Sequence, residues 1–257
     1  NKTVLKHAGL KYVSQAWLKM YEILETFPII EKTSNLKSFH IAEMPGAFIM
    51  AINHYYKTKI NINGNFDWYA QSLNPFNEAN KKYGNVIGDD FKMYKKYPHR
   101  WVWGPDNTGD INNIDNIIYY ATKVRREKND IVTIDCGVSF DYKEFMSKTL
   151  FSSILCALLC LKKGGNLVFK IFFPVVSKCV MSMVWLVSKL FKECHVYKPL
   201  MNPNSPEVYI IGLSFLEIEE NDKLQLLRAH SHFDKDYSVS ELDRIFFKDF
   251  YKITKIL

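Results

Sequence analysis

Lys19, Asp135, Lys170 and Glu207 are the residues of this sequence whose types and placement best suit proton transfer. Each falls in a short stretch with a clear local pattern: QAWLKMYEIL, IVTIDCG, GGNLVFKIF and SPEVYIIGL. Two lysines set among two carboxylates can bring a hydroxyl close to losing its proton near neutral pH. An unperturbed lysine titrates near about 10.4, so a base working at about pH 7–8 needs a downward shift of about three units, roughly 4 kcal/mol. Burial of Lys170 among apolar neighbours, with Lys19 as a second positive charge, is expected to supply that shift. Asp135 and Glu207 are expected to hold Lys19 and to aim Lys170 through charge-assisted hydrogen bonds. Taken singly, Lys170 reads equally as an edge-strand lysine with its amine in water, and Asp135 as a loop cap. The four together, at strand ends or on a neighbouring helix, favour a shared cleft.

Between the first two of these residues stands AEMPGAF, in which Glu43 ends a short apolar run and Met44, Pro45, Gly46 and Ala47 turn the chain into a helix. Glycine lets backbone approach a ligand closely, and a helix N-terminus offers unpaired N–H groups. Asp110, in GPDNTGDI, is a carboxylate on a second glycine-rich turn, suited to accept from a ribose hydroxyl or an adenine amine. Phe66, Asp67 and Trp68 are placed where a flat side chain could cover a purine. Each also has a plain structural reading, as a tight turn or a capped loop. The sequence has no G-x-G-x-x-G, which argues against a dinucleotide. A nucleoside carrying a sulfonium fits better, since it has no diphosphate to cradle.

The elements that must position these residues alternate between strand and helix. Helical patterns cover residues 9–27, 46–57, 113–126, 143–162 and 175–192, the fourth stopped by Gly164-Gly165. Strand patterns cover 39–43, 67–72, 85–88, 130–135, 166–172, 194–197 and 207–215. Two more helical patterns follow, near 219–230 and 239–250. Alternation at this spacing implies an α/β fold with a mostly parallel sheet covered on both faces. The last two strands have no room for a helix between them and are expected to pair antiparallel, giving seven strands with an antiparallel edge hairpin. Ligands of such sheets sit at the carboxyl ends of the strands.

At 257 residues the chain is expected to form a single domain, with its core over about 9–215 and a helical extension over 216–257. A net charge of +7 with 15% aromatic residues fits a polyanionic partner, although abundant Lys, Asn and Ile equally reflect an AT-rich genome. The five cysteines show no C-x-x-C pairing and read as free thiols of a reducing compartment. The histidines are scattered, and His230-Ser231-His232 have no carboxylates at ligand spacing, so no metal site is expected. The apolar runs 150–161 and 171–190 are too short or too interrupted by Pro174, Lys178 and Lys189 to span a bilayer.

In order, QAWLKMYEIL, AEMPGAF, DWYAQSLNP, WGPDNTGDI, TIDCGVSFD, GGNLVFKIF and NSPEVYIIG resemble the Adrift-type, FtsJ-like RNA 2′-O-methyltransferases, a family that includes mRNA cap enzymes. The resemblance runs over about residues 9–215 and implies a Rossmann-like methyltransferase fold. It implies S-adenosyl-L-methionine as cofactor, held at Gly46 and its turn, at Phe66-Asp67-Trp68, and at Asp110 and Asp135. It carries the family's K-D-K-E tetrad onto Lys19, Asp135, Lys170 and Glu207, with Lys170 as general base. Cys136 and the inserted Pro206 depart from the family pattern. The implied substrate is the ribose of RNA near the 5′ cap of mRNA, with Lys11, Tyr12, Arg100, Trp101 and Lys198 as candidate RNA contacts. An RNA-binding scaffold with a retired methyltransferase fold and an enzyme acting on ribosomal or transfer RNA remain alternatives. The expected location is the cytoplasm, a viral source being compatible with the residue usage, or the nucleus for a cellular version.

Overall fold

The structure is a computed structural model that describes residues 13–84, 86–125, 128–137, 143–175 and 177–233. Ser14 starts the first described helix, α1 (Gln15–Thr26), by accepting from the backbone N–H of Trp17 at 3.2 Å. Strand β1 (Asn35–Ile41) is followed by α2 (Ala47–Tyr55), which ends in a π-helical turn over Tyr56–Ile60. Next come β2 (Asn65–Gln71), a 3₁₀ turn (Glu78–Tyr83), the one-turn α3 (Met93–Lys96), α4 (Ile114–Arg125) and β3 (Asn129–Ile134). The remainder is α5 (Lys143–Cys160), β4 (Leu161–Phe172), α6 (Lys178–Leu190), β5 (Phe191–Tyr197), β6 (Glu207–Phe215) and α7 (Glu220–Ser231).

Among the described residues the sheet has six strands in the order β2-β1-β3-β4-β6-β5. The first four run parallel, and β6 lies antiparallel to both β4 and β5. Side chains alternate between the faces, and each face has its own core. Phe39, Ile41, Val132, Ile134, Leu167, Phe169 and Ile171 pack with α4, α5, α6 and α7. Leu36, Ile131, Val168, Tyr209, Ile211 and Leu213 pack with Trp17, Met20, Ile23 and Leu24 of α1 and with Phe48, Ala51 and Ile52 of α2. Asp135 continues the parity of Ile131, Lys170 that of Val168, and Glu207 that of Tyr209. Period-two alternation therefore turns all three toward the α1 side of the sheet.

The expected strand over 85–88 does not form: residues 86–88 are irregular, and residue 85 lies outside the described residues. The outer edge of β2 is met instead by the Trp101 segment, with Val102 N–H donating to Ala70 C=O at 2.8 Å. Gly164-Gly165 do not stop a helix. Helix α5 already ends at Cys160, whose carbonyl accepts from Asn129 Nδ2 at 2.9 Å, and the glycines fall where β4 shifts register against β3. Strand β1 begins earlier than expected and ends at Ile41, so Glu43 lies two residues beyond it. The helical pattern at 239–250 lies outside the described residues.

Asn166 ties the sheet's middle to its surroundings. Its Nδ2 donates to Ile29 C=O at 2.8 Å, and its Oδ1 accepts from Ser214 N–H at 2.8 Å. Asn166→Ala orphans both buried groups, and a loss of about 2–4 kcal/mol is expected. Chemical denaturation of the variant beside the wild type measures it; an unchanged midpoint would show that water replaces both bonds.

Candidate active site

The parity of the strands brings the four sequence-selected groups together. Lys170 Nζ lies 2.8 Å from Asp135 Oδ1 and 3.4 Å from Glu207 Oε1, while Lys19 Nζ pairs with Glu207 Oε2. Lys19 arrives from α1, packed on the face toward which the other three point. Both lysines are buried, their side chains 8% exposed, and the carboxylates are a little more open at 18–19%. Lys170 is the cation facing Asp135 Oδ1, within hydrogen-bond distance of it. Gly137 leaves room beside the amine, since a Cβ there would stand 3.3 Å from Lys170 Nζ.

The electrostatics depart from expectation. Burial pulls the Lys170 pKa down, as anticipated, but the negative charges of Asp135 and Glu207 outweigh it and hold the pKa above the ordinary lysine value. Lys19 is turned to Glu207 and does not offset them. Burial pushes the Glu207 carboxyl up, and the hydrogen bond from Lys19 and the charges of both lysines bring it below its usual range. The protein by itself therefore keeps Lys170 as an ammonium and Glu207 as a carboxylate.

Glu207 is held by the loop over 198–206. Lys198 Nζ donates to Glu207 C=O at 2.9 Å and also to Ser205 C=O, and Phe173 N–H donates to Pro206 C=O at 2.7 Å. On the other side, Glu22 of α1 accepts from Tyr197 Oη and from Leu200 N–H, each at 2.7 Å. The inserted Pro206 thus contributes an acceptor to the loop that carries Glu207.

A cavity of about 490 Å³ opens beside the cluster at the carboxyl ends of β1, β2 and β3. Ala42, Met44, Val86, Ile87 and Ile111 supply apolar walls, and Gln71, Ser72, Tyr83, Asp110, Asn112, Asp135 and Thr149 supply polar ones. Asp110 Oδ2 accepts from Tyr83 Oη at 2.9 Å and Oδ1 from Asn112 N–H at 2.9 Å. Flat apolar walls for a purine, carboxylates for hydroxyls and Asp135 for a positive charge suit a nucleoside with a cationic tail.

Of the residues expected to hold such a ligand, Asp110 and Asp135 line the cavity. Phe66 and Asp67 do not: they open β2, about 15 Å before its carboxyl end, and Asp67 pairs with Arg100. Trp68 is buried beside Trp101. Pro45, Gly46 and Ala47 do not line the cavity, although Ala42 and Met44 do. A Cβ on Gly46, whose φ is 109°, would press on Met93 at 2.9 Å, so this glycine serves packing and the turn into α2. Glu43 is buried under the wall, and its Oε1 accepts from the N–H groups of Phe48 and Ile49 at 2.8 and 3.2 Å. It caps α2. Burial, and then the charge of Asp135, push its pKa well above the usual carboxylate range. Nearby His40 is kept neutral by burial and shares 2.7 Å bonds with Ser38 and Thr133.

Among the candidate RNA contacts, Trp101 is buried, Arg100 is held by Asp67 and by Trp68 C=O, and Lys198 braces its own loop. Lys11 and Tyr12 lie outside the described residues. Cys136 is buried against Ser153, and burial raises its thiol to about 11, so it is not a nucleophile. All five cysteines are free. Among the described residues no cluster could hold a metal ion, and no helix is long and apolar enough to cross a membrane.

Residues 12–215 match the FtsJ-like methyltransferase family. The chain belongs to that family. Uncharacterized protein L511 of Acanthamoeba polyphaga mimivirus is 35% identical over 250 residues, covering 93% of this chain and 31% of that protein. Cap-specific mRNA (nucleoside-2′-O-)-methyltransferase 2 of Danio rerio is 34% identical over 220 residues, covering 80% and 29%. The chain thus spans about a third of the length of these relatives. A crystal structure described as a ribosomal RNA methyltransferase, from Plasmodium falciparum, superimposes with a TM-score of 0.52 at 19% identity, covering 80% of this chain and 100% of that one. It shares the Rossmann-like fold of this FtsJ-like chain.

Sequence reasoning missed Gln71, Ser72, Tyr83, Asn112 and Thr149. The first two could have been found as the residues closing β2, once its end was placed at Gln71. Thr149 carries no signal inside an apolar helix. Because the raised pKa of Glu43 favours its neutral form, Glu43→Gln is expected to keep the α2 cap and the stability. Glu43→Ala is expected to lose about 1–2 kcal/mol. Thermal unfolding of both distinguishes them, and equal losses would show that the cap needs the charge.

Proposed function

We propose that this FtsJ-like chain transfers the methyl group of S-adenosyl-L-methionine to a ribose 2′-oxygen of RNA near the 5′ cap of mRNA. The observation that carries this reading is the buried Lys19–Glu207–Lys170–Asp135 cluster opening onto a nucleoside-sized cavity. The relative named a cap-specific mRNA methyltransferase supports the choice of capped message.

Asp110, Tyr83, Gln71 and the apolar wall would hold the nucleoside, and Asp135 would face its positive charge. The bound cofactor supplies an electrophilic methyl group on a sulfonium. Everything else falls to the chain. Lys19 and Glu207 fix one side of Lys170 and Asp135 the other, so its amine is aimed at a single point in the cleft. A 2′-hydroxyl held there is aligned for in-line attack, and orientation of this kind is worth roughly 7–11 kcal/mol. Lys170 takes the hydroxyl's proton, which requires its neutral form. A second positive charge in the cavity would oppose Asp135 and Glu207 and so favour that form.

Methyl incorporation from labelled S-adenosyl-L-methionine into a short capped transcript, with nucleotide mapping, tests the reading. Lys170→Ala is expected to lose at least about 10²-fold in turnover while calorimetry still detects cofactor binding. Near-normal turnover in the variant would remove Lys170 from the reaction. Equal labelling of capped and uncapped RNA would move the substrate to another RNA class, and no binding heat in the wild type would indicate a retired fold. The sign of the Lys170 shift gives a further expectation. Its pKa is raised, so the neutral amine is scarce at pH 7, and turnover should climb between about pH 7 and 9 in the wild type. A flat profile over that range would show that proton transfer to Lys170 does not limit turnover.

A further inference from the structure

Helix α7 lies beyond residue 215, where the family match ends, yet it reaches the wall of the cavity through a chain of buried hydrogen bonds. His230, in its last turn, is buried and stacks on Phe151 with ring centroids 6.0 Å apart. Its Nε2 lies 2.9 Å from the Oγ of Ser152, which is itself fully buried in α5. Ser152 Oγ donates to Asn112 Oδ1 at 3.2 Å. A hydroxyl has one proton to give, so with that proton on Asn112 the ring must donate from Nε2. This sets the neutral Nε2–H tautomer, and burial, with Lys148 nearby, keeps the ring neutral by lowering its pKa to about 4.

The polarity then propagates. With Oδ1 occupied by Ser152, the Asn112 amide must present Nδ2 on its other side, where it donates to Thr149 Oγ1 at 3.0 Å. The backbone N–H of the same residue donates to Asp110 Oδ1 at 2.9 Å. Asp110, Asn112 and Thr149 all line the cavity.

We propose that His230 is a positioning residue for the nucleoside cofactor, setting through Ser152 the orientation of the Asn112 amide and of the Thr149 hydroxyl in the cavity wall. Helix α7 is then part of the cofactor site and not an appended tail. The inference rests on the methyltransferase reading above.

Titration calorimetry of the full chain with S-adenosyl-L-methionine tests it, with thermal unfolding and binding of a short capped RNA measured alongside. His230→Ala and Ser152→Ala are each expected to raise the cofactor Kd by about three- to tenfold, the size of one lost hydrogen bond. RNA affinity should be unchanged. His230→Gln, whose amide can donate from nearly the same place, should stay within about twofold of wild type. Unchanged cofactor affinity with a lowered melting temperature would make His230 an anchor for α7 only and overturn the proposal. Loss of affinity in His230→Gln equal to that in His230→Ala would overturn it as well. If His230→Ala does not fold, Ser152→Ala decides, since it removes the relay and leaves the ring in place. No binding by the wild type would instead bring down the methyltransferase reading and this inference together.

Discussion

Two buried lysines and two half-buried carboxyl groups at one end of a sheet are the constraint on which the rest of the molecule turns. Lys19, Glu207, Lys170 and Asp135 form an alternating chain of charge, and each group is the counter-ion that makes its neighbour tolerable away from water. Such an arrangement is poor value for stability, because apolar side chains of the same size would fill the space at less cost. The fold bears it where the strands end, next to a cavity open to a ligand. Every nearby element is bent to that purpose: α1 delivers Lys19, and the loop over 198–206 braces Glu207.

The balance of this cluster changes the account of how an amine could serve as a base. Burial alone would lower the Lys170 pKa, and the sequence shows the apolar neighbours and the two carboxylates but not their distances from the amine. In the folded protein the two carboxylates face the amine directly while Lys19 is turned to Glu207, so attraction exceeds desolvation. The resting state is the charged one. A role for Lys170 in proton transfer is therefore tied to whatever positive charge shares the cavity with it.

A second network, of hydrogen bonds, complements the charged one. Glu43 caps α2 from beneath the cavity, and His40, Ser38 and Thr133 share buried hydrogen bonds alongside it. On the opposite wall, Asp110 is tied through Asn112 and Ser152 to His230. Several of the groups that frame the cavity are thus already hydrogen-bonded to one another, which favours a fixed shape over an adaptable one.

Much of the site was legible because strand and helix periods dictate direction. Hydrophobic alternation in IVTID, NLVFKIF and EVYIIG fixes the side of the sheet to which Asp135, Lys170 and Glu207 point, and an amphipathic QAWLKMYEIL can only bury Lys19 by lying on that side. The α/β class and the antiparallel pairing of β5 and β6 followed from the same patterns and the short connection between those strands. What the sequence could not decide was distance across the fold. Phe66 and Asp67 lie on the right strand but at its wrong end, residues 86–88 have strand-like side chains but form no strand, and Glu43 turned inward to a helix terminus. His230 meets Ser152 across 78 residues. Local pattern sets which way a side chain faces, while only the packed chain sets what it faces, because that depends on how far each element extends and on which neighbour reaches the same space first.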